Sequence, residues 1–138
     1  MMFNIAKVLA DIEADSDQNI DLLVDLLKIQ SISTIPDYTD ECNQAAGWLK
    51  AFLDSFGMDA IIYESEGHPI VFSDYQTSRP EAKTILFYGH YDVQPVDPVS
   101  LWESDPFDPV LSSIDNEPCI IARAVSYTHL RAHETCVH

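Results

Sequence analysis

The stretch Thr84-Ile-Leu-Phe-Tyr-Gly-His-Tyr-Asp-Val93 joins an apolar run to a short polar motif. Thr84 to Tyr88 is apolar at nearly every position, which is typical of a β-strand that is covered on both faces. Gly89 permits a tight turn directly after this strand, and His90 and Asp92 follow. In open α/β sheets, ligands bind at the carboxyl ends of the strands. The stretch therefore predicts a buried strand with a functional site at its end.

His90 and Asp92 form the pair whose side chains carry the most chemical information. They lie two positions apart, so an extended backbone points both side chains to the same side. One imidazole nitrogen could then bind a metal ion while the carboxylate orients the ring and raises its basicity. The same pair is also common as a plain hydrogen bond at a protein surface. The spacing alone leaves the metal site and the surface pair as alternatives.

Three amphipathic helices are predicted before this strand. Their apolar residues recur at helical spacing over Ile5–Ile12, Ile20–Leu27 and Cys42–Phe56. Ser16 or Asp17 is expected to cap the second helix, and Gly57 to end the third, which begins near Asp37 or Thr39. The aromatic residues of the third helix are expected in the core: Trp48, Phe52 and Phe56.

Two further strands are predicted after the helices, at Asp59–Tyr63 and Ile70–Tyr75, because these runs are rich in β-branched and aromatic residues and are bounded by turn residues. Pro95–Pro118 holds five of the eight prolines and is expected to be mostly loop. Helices followed by strands predict the α/β fold class, with helices packed on a mostly parallel or mixed sheet.

The composition is strongly acidic, with 23 Asp and Glu against seven Lys and Arg and a net charge of −16. Such a surface repels nucleic-acid phosphates and anionic lipids, so neither partner is expected. The first residues lack the basic and long apolar segments of a secretion signal. Three well-separated cysteines indicate free thiols in a reducing compartment. The sequence thus predicts a cytoplasmic domain.

Several segments together resemble the M20 family of metallopeptidases. The run from Phe87 to Pro98, with Leu101-Trp102 and Asp105–Pro109, is similar to the first metal motif of that family. Gln30–Thr34 and Gly67–Pro69 agree with it in order and spacing. The resemblance covers roughly residues 16 to 123 and is nearest to the dipeptidase branch, which includes carnosinase-like and cytosolic non-specific dipeptidases.

This resemblance implies a function and a site. His90 is similar to the first zinc ligand of the family, and Asp92 to the catalytic-site acid that supports it. The family implies an α/β catalytic domain with two zinc ions, manganese being an alternative for the second, and hydrolysis of the amide bond of small peptide substrates such as dipeptides. The intact protein would then be a candidate homodimer.

The chain departs from the family after Ile121-Ala-Arg123. The family continues with a segment resembling Ala-Arg-Gly-Ala-Ser-Asp-Asp-Lys-Gly, in which one Asp bridges the two metals, whereas Tyr127 and Thr128 stand at the positions of the paired acids. The residues from Val125 onward resemble a peptide translated from sequencing-adapter DNA. We therefore expect residues 1–123 to be the N-terminal portion of an M20-like catalytic domain, residues 124–138 to be a non-native tail, and the chain to be inactive.

Two other interpretations remain at this point. The tail histidines, among them His129 and His133, have a helical spacing that could hold a metal, but their order matches no known metallopeptidase motif. The whole chain could also be a non-enzymatic acidic α/β binding module in which His90 and Asp92 form only a structural hydrogen bond.

Overall fold

The computed structural model describes residues 4–124. Its helices are α1 (Ile5–Ala14), α2 (Ser16–Leu27) and α3 (Thr39–Ser55), and its strands are β1 (Ile61–Tyr63), β2 (Ile70–Phe72), β3 (Val110–Ile114) and β4 (Glu117–Ile121). Short 3₁₀ helices lie at Pro36–Tyr38 and Val99–Leu101. The predicted α/β class is confirmed.

The first two helices follow each other almost without a break. Asn4 caps α1, because its side chain accepts a hydrogen bond from the backbone N–H of Lys7 at 3.2 Å. Asp15 separates the helices and occupies the N-cap position of α2 without making a side-chain capping bond. The predicted cap at Ser16 or Asp17 is therefore wrong by a residue or two, because the chain turns into α2 as soon as α1 ends.

Helix α3 begins and ends where its sequence signals predict. Pro36 starts a 3₁₀ turn, and α3 follows from Thr39. Gly57 adopts a φ of 72°, the left-handed conformation in which glycine commonly ends a helix. The positive φ reverses the chain toward β1, so α3 packs beside β1 and β2.

The strands form two antiparallel pairs. β1 pairs with β2 through Ile62 and Val71, and β3 pairs with β4 through Ser112 and Cys119. A separate parallel bridge joins Ile32 to Val93. Among the described residues, both sheets are therefore antiparallel, and the parallel contact lies outside the strands.

The strand predicted at Thr84–Tyr88 is not formed, because this segment has no regular secondary structure. Its apolar side chains from Ile85 to Tyr88 are 74–89% exposed. A strand apolar on both faces needs neighbours on its edges and layers on its faces. Residues 4–124 do not supply them, so the apolar sequence alone does not make a strand here. β1 and β2 are also shorter than predicted.

The segment Pro95–Pro118 is mostly loop, as predicted, but its second half also contains β3 and the start of β4, which were not predicted. Asp115 and Asn116 connect these strands with φ values of 53° and 68°. Two successive positive φ values are the mark of a tight hairpin turn. Pro118 is tolerated in β4 because a proline can lie in an edge strand.

The core is small and lies where α3 meets the segments around residues 29–32 and 93. Its buried apolar residues are Ile29, Ile32, Cys42, Ala45, Ala46, Ala60 and Val93. Cys42 and Cys119 are free thiols, as predicted. The prediction that the α3 aromatic residues lie in the core is wrong, because none of them is buried. Trp48 and Phe52 are half-buried and stack with ring centroids 5.3 Å apart, whereas Phe56 meets Phe52 edge-on at 5.0 Å and is 61% exposed.

The predicted division at residue 123 and the tail histidines stay predictions. Residues 125–138, which include His129 and His133, lie outside the described part of the chain. Within residues 4–124, no helix has the length and apolar character needed to span a bilayer.

Candidate functional site

The loop that carries His90 is tied to the segment following α2. The backbone N–H of Val93 donates to the carbonyl of Ser31 at 2.9 Å. The hydroxyl of Ser31 donates to the carbonyl of Tyr91 at 2.7 Å. Ile32, which pairs with Val93, is only 2% exposed. These contacts fix the backbone on the C-terminal side of His90 against the small core.

The structure brings the two predicted site residues into direct contact. His90 Nδ1 lies 2.9 Å from Asp92 Oδ1 and 3.1 Å from the Asp92 carbonyl oxygen. A carbonyl and an ionised carboxylate can only accept a hydrogen bond, so the ring proton belongs on Nδ1. The side chains are 40% and 34% exposed, respectively. The pair thus lies at the surface end of the anchored loop.

A second hydrogen bond holds the other oxygen of the Asp92 carboxylate. The hydroxyl of Ser33 donates to Asp92 Oδ2 at 2.5 Å. Partial burial acts to raise the pKa of Asp92, but the hydrogen bonds from Ser33 and His90 outweigh it and lower that pKa below its ordinary value. Asp92 is therefore ionised at neutral pH, and each of its two carboxylate oxygens accepts a hydrogen bond.

Tyr91, between His90 and Asp92, makes a hydrogen bond to a different segment of the chain. Its hydroxyl donates to the carbonyl of the buried Pro69 at 2.5 Å. Burial, with smaller contributions from neighbouring acidic groups, raises the pKa of Tyr91 to about 12. The phenol therefore stays neutral and serves as a structural donor that joins the loop to the start of β2.

His68 has a structural position. Its Nε2 lies 2.8 Å from the carbonyl oxygen of Ser33, so this nitrogen carries the donated proton. Its side chain is half-buried beside the turn that precedes β2. His68 thus holds the backbone of Ser33, the residue that contacts Asp92.

A groove of about 780 Å³ runs beside the pair, between α2, α3, β2 and residues 87–93. Ser33, His68, His90 and Asp92 line its polar part. Leucines of the two helices line the apolar part: Leu23, Leu26, Leu27, Leu49 and Leu53. A small molecule in the groove would therefore meet one polar end and one apolar wall, the usual composition of a ligand site.

The donor chemistry around His90 fits one metal ligand and its support. A histidine that binds a metal usually donates its other ring N–H to a carboxylate or a carbonyl, as His90 does with Asp92. Within residues 4–124, no cluster of three or more His, Cys, Asp or Glu side chains could hold a metal. Residues 4–124 therefore offer one candidate ligand, His90, and no complete metal site.

Sequence reasoning missed the two serines that hold the site. Ser31 and Ser33 contact the Tyr91 carbonyl and the Asp92 carboxylate, respectively. Their spacing of two is the available signal, because alternate residues of an extended segment face the same side. That spacing does not reveal the partner, which follows from the parallel pairing of Ile32 with Val93.

Comparison with known proteins gives partial matches. No protein-family model matches the chain. A cysteinylglycine-S-conjugate dipeptidase of Corynebacterium striatum is 29% identical over 86 residues, which are 62% of this chain and 19% of that protein. The Cys-Gly metallodipeptidase DUG1 of Saccharomyces cerevisiae is 44% identical over 43 residues, which are 31% of this chain and 9% of that protein.

The fold gives a consistent match. The solved structure of the di-peptidase Dug1p from Saccharomyces cerevisiae aligns with a TM-score of 0.71 and 25% identity over 81% of this chain and 26% of that one. The described architecture thus matches part of a dipeptidase. The relatives are dipeptidases, which favours the peptidase hypothesis over the non-enzymatic binding module.

Proposed function

We propose that this chain is the N-terminal portion of a zinc-dependent metallopeptidase of the M20 type that hydrolyses dipeptides. The geometry of His90 and Asp92 carries this proposal, because the ring nitrogen Nδ1 is held on a carboxylate and a carbonyl in the manner of a metal-bound histidine. The dipeptidase relatives support it independently. Cys-Gly is the first substrate to assay, since one relative is named for Cys-Gly and the other for an S-conjugate of cysteinylglycine.

In this proposal His90 would hold one zinc ion, and Asp92 would keep the ring in the required tautomer. Zinc, when bound, would polarise the substrate carbonyl and lower the pKa of a bound water. The lowered pKa of Asp92 means that its charge is present at neutral pH. The intact enzyme would hold two metal ions, with manganese as an alternative in the second position, and would act in the cytoplasm, as a candidate homodimer.

The 138-residue chain itself is expected to be inactive. Hydrolysis needs a metal ion with an open coordination position and a base within hydrogen-bond reach of the attacking water. His90 and Asp92 supply one ligand and its support, and residues 4–124 contain no larger metal-ligand cluster. The proposed enzyme would draw its other ligands and its base from sequence beyond Arg123.

Zinc binding by this chain tests the ligand assignment. We expect a dissociation constant weaker than micromolar, because four-ligand sites gain on the order of 10 kcal/mol from zinc and one imidazole supplies a small part of that. The measurement is a titration against a competing chelator, comparing the original chain with His90→Ala. A double variant, His129→Gln with His133→Gln, controls for binding by the tail. Sub-micromolar binding that His90→Ala abolishes would show that the chain contains a complete ligand set.

Activity of the natural full-length protein tests the function. Its coding sequence should be read past Arg123, expressed, and assayed for release of amino acids from Cys-Gly with zinc or manganese. We expect hydrolysis that falls at least about a hundredfold in His90→Ala, the upper range for disturbing the surroundings of a metal. Hydrolysis that is unchanged in His90→Ala would contradict the proposed site, and no hydrolysis of any dipeptide would contradict the function.

A further inference from the structure

We infer that Ser33 is a positioning residue for His90 and acts through the carboxylate of Asp92. The inference rests on the proposed function, because the tautomer and orientation of the His90 ring matter to the chemistry only if that ring binds a metal. No feature of the His-x-Asp motif itself identifies Ser33, which lies 59 positions away from Asp92 in sequence.

The hydrogen bonds form a continuous series. Ser33 Oγ donates to Asp92 Oδ2 at 2.5 Å, and His90 Nδ1 donates to Asp92 Oδ1 at 2.9 Å. At the other end, His68 Nε2 donates to the carbonyl of Ser33 at 2.8 Å. His68 thus holds the backbone of Ser33, and the hydroxyl of Ser33 in turn holds the Asp92 carboxylate.

Hydrogen bonds to both oxygens of the Asp92 carboxylate fix its orientation, which a bond to one oxygen would not do. The carboxylate of an aspartate rotates easily about its last torsion angle, whose energy profile is broad. A bond from His90 alone would leave the carboxylate plane free to turn. With the Ser33 hydroxyl on Oδ2, the plane is set, and Oδ1 stays directed at His90 Nδ1.

The backbone register explains why this serine is in reach. Ser33 directly follows Ile32, and Asp92 directly precedes Val93, and Ile32 and Val93 form the parallel bridge. Both bridge residues are buried, at 2% and 8% exposure. In a parallel pairing Ser33 and Asp92 lie diagonally across the bridge with their side chains on the same face, so the buried bridge keeps these two side chains within reach of each other.

The test is the tautomer of the His90 ring, read from two-bond ¹H–¹⁵N correlation spectra of the full chain. Spectra are recorded at increasing pH until the ring signals stop shifting, and the tautomer ratio is read there. His90→Ala assigns the signal. We expect mainly the Nδ1–H tautomer in the original chain. In Ser33→Ala, the ratio of Nδ1–H to Nε2–H should fall about two- to tenfold, which corresponds to the loss of one hydrogen bond.

Matched variants distinguish a specific effect of the Ser33 hydroxyl on the His90 ring from a general loss of order in the loop. Ser33→Thr keeps the hydroxyl and should preserve the ratio, whereas Ser33→Val, with the shape of threonine but no hydroxyl, should lower it as Ser33→Ala does. Ser55→Ala removes a serine hydrogen bond to the Phe52 carbonyl at the end of α3, away from the carboxylate, and should leave the ratio unchanged. If Ser33→Ala fails to fold, the comparison of Ser33→Thr with Ser33→Val still tests whether the hydroxyl sets the tautomer ratio.

A double variant tests whether the effect passes through Asp92. Asp92→Asn should lower the ratio, and adding Ser33→Ala to it should cause no further change, because coupled residues are not additive. Equal ratios in Ser33→Thr and Ser33→Val, or an equal fall in Ser55→Ala, would overturn the inference. These readings need no metal, so they are independent of the zinc titration and the dipeptide assay, which test the proposed function itself.

Discussion

The carboxylate of Asp92 shows how a partly buried charge is kept ionised near a surface groove. Burial disfavours the charge, and hydrogen bonds to charged groups contribute about 1.5–3 kcal/mol each, so two of them can outweigh partial burial. The lowered pKa of Asp92 follows from that balance. His90 therefore faces a fixed negative charge at neutral pH, which would suit the proposed role of its ring as a metal ligand.

Asp54 offers a test of pH dependence away from the site. It accepts hydrogen bonds from Lys50 Nζ at 2.6 Å and from the backbone N–H of Ala60 at 2.7 Å, which lower its pKa below 3.8. A lowered pKa means that the ionised group stabilises the fold above about pH 3.8 and loses this effect as pH falls through the folded pKa. Asp54→Asn should therefore unfold at a lower urea midpoint than the original chain at pH 7. The difference between the two midpoints should be smaller near pH 3.

Glu81→Gln is the control for Asp54→Asn, because it removes a negative charge from an exposed loop. Its urea midpoint should follow that of the original chain at both pH values. A difference between the original chain and Asp54→Asn that stays constant from pH 7 to pH 3 would contradict the assignment.

Helix α3 is the element on which the described fold depends most. It contributes three of the buried residues, Cys42, Ala45 and Ala46, and its small side chains allow neighbouring segments to approach closely. Its two glycines have opposite roles, because Gly47 lies inside the helix and Gly57 lies just after its end. The two positions differ in backbone conformation and not in the space available, since a Cβ at either position would meet no atom within 4 Å.

Substituting alanine at the two glycines should change stability in opposite directions. Gly57→Ala should destabilise the fold by about 1–2 kcal/mol, because a non-glycine residue is strained at a φ of 72°. Gly47→Ala should stabilise it by about 0.5–1 kcal/mol, because alanine is the better helix former. Denaturant unfolding of both variants measures this, and a stabilised Gly57→Ala would show that the left-handed turn is not formed.

The molecule as a whole combines a strongly charged surface with an unusually exposed apolar segment. The net charge of −16 opposes association. Leu86, Phe87 and Tyr88 are nevertheless 84–89% exposed in one continuous run. Contiguous apolar patches on soluble monomers usually mark an interaction surface or a liability for aggregation. The isolated chain is therefore expected to be marginally stable and prone to associate.

Replacing one residue of this run tests that expectation. Leu86→Glu should reduce both dye binding to exposed apolar surface and light scattering, whereas Thr77→Glu, which adds the same charge in an exposed loop, should change them little. The original chain should not show a cooperative, monomeric melt above about 60 °C, which lies near the top of the usual mesophile range. Such a melt would show that the apolar run is covered in solution.

Local sequence signals predicted the helices well. The spacing of apolar residues identified α1, α2 and α3, and Gly57 marked the end of α3 because few other residues accept a positive φ. The contact between His90 and Asp92 was also predictable, since it joins side chains two positions apart. In each case the interactions involved lie within a few residues of one another.

Tertiary structure decided the features that depend on distant partners. Thr84–Tyr88 has the composition of a buried strand but remains exposed, because a strand forms only where neighbouring strands and covering layers are present. Ser33 reaches Asp92 only through the pairing of Ile32 with Val93. Composition and spacing record what a segment can do alone, whereas strand pairing and the support of a site depend on which other segment comes to lie beside it.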